Sequence, residues 1–127
     1  MKIRLRKNKD DIYLVELFGV LDLYSSNELK DLILKMIENK AERIIINLKE
    51  VAILNSVGLG ALVYISSTLK KVNCSLTIIA PEGPLLNALE GARLKGYFTI
   101  VSSLKEAASL AGGKPVTGVD ESDFKEK

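Results

Sequence analysis

Arg43-Ile44-Ile45-Ile46-Asn47-Leu48 is a nearly unbroken apolar run, and Lys49–Leu54 carries it into Asn55-Ser56-Val57-Gly58-Leu59-Gly60. Consecutive Ile residues without polar alternation describe a central strand covered on both faces. Beyond it, Leu59, Leu62, Val63 and Leu69 recur at helical spacing, which predicts a helix from about Ser56 to Lys70 or Lys71. Cys74-Ser75-Leu76-Thr77-Ile78-Ile79-Ala80 then reads as another buried strand. Strand, helix and strand in succession make a βαβ unit, and such units build parallel sheets.

Working outward to the N-terminus, Ile3 and Leu5 alternate with Arg4 and Arg6, a half-buried strand pattern. Asn8-Lys9-Asp10-Asp11 is turn chemistry, and Ile12–Phe18 is a second strand, so the two form an antiparallel hairpin. Five basic residues and no acid lie within residues 1–9. An edge strand kept soluble by charge accounts for them, with an anion-binding patch as the alternative. Gly19 ends the second strand, and a loop carries Asp22. Ser25-Ser26-Asn27-Glu28 reads as a capping box with Ser25 as N-cap. The helix it opens buries Leu29, Leu32, Ile33, Met36 and Ile37 and ends near Asn39-Lys40.

Towards the C-terminus, Pro84 suits the first turn of a helix whose inner face is Leu85, Leu86, Leu89 and Ala92. Tyr97–Val101 is a short strand. Ser103-Leu104-Lys105-Glu106 is a second capping box, opening a last helix that runs through Leu110. Gly112-Gly113 stops it. The expected architecture is a single α/β domain over residues 1–111: a mostly parallel four- to five-stranded sheet, an antiparallel N-terminal edge hairpin and about four helices. Residues 112–127 are expected to form a flexible tail.

Composition narrows the function. The 127 residues are 47% hydrophobic and 27% charged, a globular balance. Eighteen Lys and Arg against 16 Asp and Glu give +2, too little for a dedicated nucleic-acid binder. The absence of His removes His-based triads, bases, metal ligands and phosphocarriers together. A single Cys, Cys74, allows no internal disulfide and reads as a small core residue. No signal sequence and no apolar run of roughly 20 residues is present, so a cytoplasmic protein without a membrane partner is expected. The acidic pairs Asp10-Asp11 and Asp120, Glu121, Asp123 fall in a turn and in the tail, where general acid–base chemistry has no rigid cleft. No catalytic residue, metal site or cofactor is expected.

The run at Ser56 lacks the Gly-Lys-Ser/Thr ending of a Walker loop. Ser56 itself lies at a predicted helix N-terminus, where a Ser caps orphan N–H groups. The same N–H groups and the helix dipole favour a negative charge. A phosphate there would add about −1.5 to −2 charges without opposing the fold. An ordinary Ser N-cap is the simpler reading. Gly58 and Gly60 would allow close packing of helix on sheet.

Two stretches resemble the STAS domains of the bacterial anti-sigma factor antagonist family. Gly19-Val20-Leu21-Asp22 is similar to the family's Gly-x-Leu-Asp at the end of the second strand. Asn47–Val63 is similar to its block of Asp-Leu, a short spacer, Asp-Ser-Ser/Thr-Gly-Leu-Gly. The element order and length agree over about residues 1–110. This chain has Asn47 and Asn55 where the family usually has Asp, and Val57 where it has Ser or Thr.

The resemblance implies a protein–protein switch. Its partners would be an anti-sigma factor that is also a serine kinase, and a serine phosphatase that reverses the modification. Ser56 would be the phosphoacceptor. Asp22, Leu23, Tyr24, Ser25, Asn55, Val57, Gly58 and Leu59 would form the partner face. The departures Asn55 and Val57 motivate an alternative, a constitutive STAS scaffold or transport-associated module without phosphorylation. A nucleotide or small-molecule binder using the helix N-terminus is a third possibility, resting only on the Gly-containing run.

Overall fold

The computed structural model describes residues 2–8, 11–91, 99–111 and 125–126. Strand β1 (Lys2–Lys7) turns back into β2 (Ile12–Leu21), and α1 (Leu23–Glu38) connects to β3 (Arg43–Leu54). Helix α2 (Ser56–Lys71) leads to β4 (Ser75–Ile79), and α3 (Pro84–Gly91) precedes β5 (Thr99–Val101). Helix α4 (Leu104–Ala111) follows, and Lys125–Glu126 form β6. The sheet order is β5-β4-β3-β2-β1-β6. Strands β2 to β5 are mutually parallel, while β1 runs antiparallel to β2.

The hairpin closes as its sequence requires. The Asn8 side-chain oxygen accepts from Ile12 N–H at 2.9 Å, and the Asn8 N–H donates to Ile12 O at 3.1 Å. Asp11 takes a left-handed φ of 60°, which Asp tolerates.

Side chains alternate across the central strands and divide the core in two. Tyr13, Val15, Leu17, Ile44, Ile46, Leu48 and Ile78 face α1, α2 and α3, which contribute Leu29, Ile33, Met36, Leu62, Ile65, Leu69 and Leu89. On the opposite face Ile12, Leu14, Ile45 and Ile79 meet Ala107, with Leu104 and Val101 packed against them. The apolar stretch Ile44-Ile45-Ile46 is thus covered on both sides, as a strand paired between β2 and β4 must be. Cys74 is buried just ahead of β4, and burial pushes its thiol up to about 11.

Four expectations need correcting. Strand β2 continues past Gly19 to Leu21, with Gly19 at a φ of +112° where the ladder shifts register. Strand β3 does not stop at Leu48. It continues to Leu54, because Phe18, Gly19, Val20 and Leu21 pair with Glu50, Val51, Ile53 and Leu54. This outer stretch has no partner on β4, whose pairing ends at Asn47–Ile79, so exposed Lys49 and Glu50 are tolerated there and the segment reads as a loop. The box at Ser103 is half formed: Ser103 Oγ accepts from Glu106 N–H at 3.3 Å, but the Glu106 carboxylate reaches Ser102 N–H at 3.4 Å. Finally, β1 is not a bare edge, since β6 pairs with Arg6 and Lys7. The expected strand start at Tyr97, the inward Ala92 and tail residues 112–124 lie outside the described residues.

Candidate functional site

Strands β2 and β3 end side by side, with Leu21 opposite Leu54. Each is followed by one extended Asx residue and then a helix. Asp22 (φ −100°, ψ −170°) caps α1, and Asn55 (φ −102°, ψ −175°) caps α2. Neighbouring parallel strands lie about 4.8 Å apart, so the first turns of α1 and α2 emerge as a pair on one end of the sheet.

Neither cap is the Ser that the sequence suggests. Asp22 is the N-cap of α1, its Oδ1 accepting from Ser25 N–H at 2.9 Å, while Asp22 N–H donates to Ser25 Oγ at 2.9 Å. This is a capping box of reversed composition, with Ser25 at its third helical position rather than at the cap. The chain leaves the strand at Leu21, so the first residue still extended takes the capping role, and Asp caps as well as Ser. Glu28 falls one turn too late and points to solvent. The Ser25 backbone N–H and hydroxyl hold the Asp22 carboxyl below its ordinary value of 3.8.

The same substitution of roles occurs at α2. Asn55 Oδ1 accepts from Gly58 N–H at 3.0 Å, so Ser56 occupies the first helical position instead of the cap. Its side chain is relieved of structural duty. Ser56 is exposed, and its hydroxyl makes no hydrogen bond among the described residues. No acidic residue lies in the first turn of α2, and Asn55 contributes no charge, so nothing there offsets the positive end of the dipole.

The surroundings are apolar and open. Leu23 is 65% exposed, Tyr24 79%, Val57 42% and Val20 38%. Leu23 and Tyr24 stand on the first turn of α1, not in a loop. Leu59 is half-buried against the main core. Ser25 and Gly58 are buried and shape the site from within. A Cβ on Gly58 would come within 2.7 Å of Leu54 Cδ1 and 3.0 Å of the Leu21 carbonyl oxygen, so glycine lets α2 rest this close on the strand ends without displacing Leu54. Gly60 has open space around it and carries no such role.

A family model described as the STAS domain matches residues 4–107. The chain belongs to the STAS domain family. Among solved structures, this STAS domain is similar to an anti-sigma factor antagonist from Mycobacterium paratuberculosis, with TM-score 0.76 and 21% identity over 87% of this chain and 94% of that one. It is also similar to the anti-sigma factor antagonist SpoIIAA in its unphosphorylated form, with TM-score 0.67 and 19% identity over 84% of this chain and 94% of that one. The Bacillus cell fate determinant SpoIIAA in the phosphorylated form gives TM-score 0.67 and 19% identity over 86% and 98%. No curated protein matches the chain. At these identities the structural matches establish the fold: a single α/β STAS domain, of the antagonist type in its architecture. Among the described residues, no helix is long and apolar enough to cross a membrane.

One charged cluster was not legible as such in the sequence. Arg4 and Arg6 both close on Glu16 Oε1, with Nη2 atoms at 3.0 and 2.7 Å, and Arg6 and Glu16 are 8% and 6% exposed. The signal was the hairpin register: a turn over residues 8–11 places Arg4 opposite Glu16, the acid within an otherwise apolar strand.

Proposed function

We propose that this STAS domain is a cytoplasmic bacterial anti-sigma factor antagonist, a binding protein rather than a catalyst. In its unphosphorylated form it engages an anti-sigma factor serine kinase and thereby regulates sigma-factor-dependent transcription. Phosphorylation of Ser56 ends the engagement, and a serine phosphatase restores it. The observation that carries this reading is the exposed Ser56 hydroxyl, which has no hydrogen-bond partner among the described residues because Asn55 does the capping. Leu23, Tyr24 and Val57 around it supply the apolar area of an interface. A phosphate on Ser56 would be welcomed by the α2 N–H groups yet would place about two negative charges beside that apolar area. Binding would be lost while the fold persists. SpoIIAA, solved in both phosphorylated and unphosphorylated forms, shares this architecture.

The test is a pull-down with the tagged full chain and ATP in lysate of its source organism, read by mass spectrometry. The expected result is a kinase-like partner together with phosphate on Ser56. Ser56→Ala should keep the partner and Ser56→Glu should lose it, with unchanged circular dichroism for both. A partner retained by Ser56→Glu would overturn the switch. A reproducible partner with Ser56 never modified supports the second reading, a constitutive scaffold or transport-associated module. That reading is favoured by Asn55 and Val57, since the amide keeps the cap but offers a kinase no carboxylate.

A further inference from the structure

The face of the sheet opposite α1, α2 and α3 is only partly covered. Helix α4 seals Ile12 and Ile45 through Ala107 and Leu104. One rung further along, the ladder brings Arg4, Glu16, Asn47, Ile79 and Val101 into a single row across five strands. Just past this row β3 bulges: the pairing moves from Glu16–Asn47 to Phe18–Glu50, a step of two residues on β2 against three on β3. Between the sheet and the start of α4 lies a cavity of about 470 Å³, with Glu16 and Asn47 in its lining and Leu14, Phe18, Ile79 and Leu104 as its apolar part. That volume lies in the range of small-molecule sites. The position, outside the carboxyl ends of the parallel strands, is the one where open α/β sheets bind ligands.

Two polar atoms of the lining have their hydrogen-bonding sense fixed and their capacity unused. At the bulge, the Lys49 N–H donates to Asn47 Oδ1 at 2.9 Å. A backbone N–H only donates, so the atom it meets is the amide oxygen and Nδ2 remains a donor. That Nδ2 has no partner among the described residues. Glu16 is 6% exposed, and Nε and Nη2 of both Arg4 and Arg6 close on its Oε1. Its Oε2 accepts from nothing among the described residues. Arg4 and Arg6 have interactions beyond Glu16, so they anchor the carboxylate and are not donors to a ligand.

Glu16 and Asn47 are register partners on neighbouring parallel strands, about 4.8 Å apart. One acceptor and one donor therefore stand side by side next to an apolar surface. An oxyanion carries no hydrogen for Oε2, and an ammonium carries no acceptor for Nδ2. A group with N–H and C=O on the same edge satisfies both, and its N–H gains the strength of a bond to a carboxylate.

We propose that this cavity binds a small uncharged lactam, a planar ring whose N–H donates to Glu16 Oε2 and whose C=O accepts from Asn47 Nδ2, with its apolar body over Leu14, Phe18 and Ile79. The site is on the far side of the sheet from Ser56 and does not depend on the switch. Its donor stands at a position where the STAS family usually has Asp, so the pattern is particular to this chain.

The experiment is a titration of the full ¹⁵N-labelled chain with 2-quinolone, followed by amide shifts. N-methyl-2-quinolone, which lacks the N–H, and benzoate, which has only acceptors, are the controls. Saturable shifts are expected for 2-quinolone at Leu14, Asn47, Ile79 and Leu104, with millimolar or tighter affinity and at least tenfold weaker binding of both controls. Asn47→Asp keeps the acceptor for Lys49 N–H but sets a carboxylate against the lactam C=O, and should weaken 2-quinolone at least tenfold. The amide spectrum of the variant reports its folding directly, and the comparison of 2-quinolone with its N-methyl analogue needs no variant. The proposal is overturned by no saturable shifts at these residues, by equal affinity for either control, by unchanged affinity in folded Asn47→Asp, or by shifts centred on Leu23, Tyr24 and Val57.

Discussion

Asp22 shows how one side chain can tie the site to solvent conditions. Its carboxyl titrates below the ordinary 3.8 because Ser25 donates to its charged form. A depressed folded pKa means the cap stabilises the protein above the unfolded value and loses that contribution as pH falls through the folded value. The window is therefore the acid limb below about pH 4. Asp22→Asn preserves the cap and removes the titration. Its melting temperature should accordingly fall less than that of the wild type between about pH 5 and pH 3, measured by circular dichroism. An identical acid limb in both proteins would remove Asp22 as a titrating cap. The two glycines of the Ser56 run should behave oppositely. Gly58→Ala must displace Leu54 Cδ1 and press on the Leu21 carbonyl, costing about 1–3 kcal/mol in urea unfolding. Gly60→Ala meets nothing in an exposed helix turn and should add about 0.5–1 kcal/mol. A cost at both positions would mean that helix-on-sheet packing uses Gly60 too.

At the scale of elements, what could be read from sequence followed from period, and what could not followed from partner. The helical spacing of Leu29, Ile33 and Met36, and of Leu62 and Leu69, placed α1 and α2 and their buried faces, because one helix's periodicity does not depend on its neighbours. The outer half of β3 is hidden in the sequence because Lys49 and Glu50 look like a loop until β2, but not β4, is known to run beside them. The same limit hid the cap at α2. Asn55 and Ser56 are both good caps, and only the point at which the strand ends decides between them. It also hid the hairpin cluster, where Arg4 and Arg6 look like solubilising charge until the register brings Glu16 opposite. That cluster makes its own prediction. Glu16→Gln removes the buried carboxylate on which both guanidiniums close, that of Arg6 from a side chain only 10% exposed, and should cost about 3 kcal/mol in urea unfolding. Arg4→Gln, at a side chain 33% exposed, should cost less than about 1 kcal/mol. Equal costs would mean that Glu16 contributes no more through buried Arg6 than through half-exposed Arg4.

For the molecule as a whole, the question is how much chain the fold needs. Described side chains that pack into the two cores run from Ile3 to Ala107. The STAS match covers residues 4–107, almost the same span. Among the described residues beyond that span, only Lys125–Glu126 join the sheet, pairing with Arg6 and Lys7 at one end of β1. A two-residue ladder at a sheet margin adds little to a domain held by two apolar layers, because so few backbone hydrogen bonds barely offset the entropy of ordering the chain that makes them. Residues 1–111 should therefore fold alone. Scanning calorimetry of that fragment should show one cooperative transition, a few degrees at most below the full chain. A broad or absent transition would mean that the C-terminal segment is part of the folding unit. In that case β6 would be a structural clamp on the strand that carries Arg4 and Arg6.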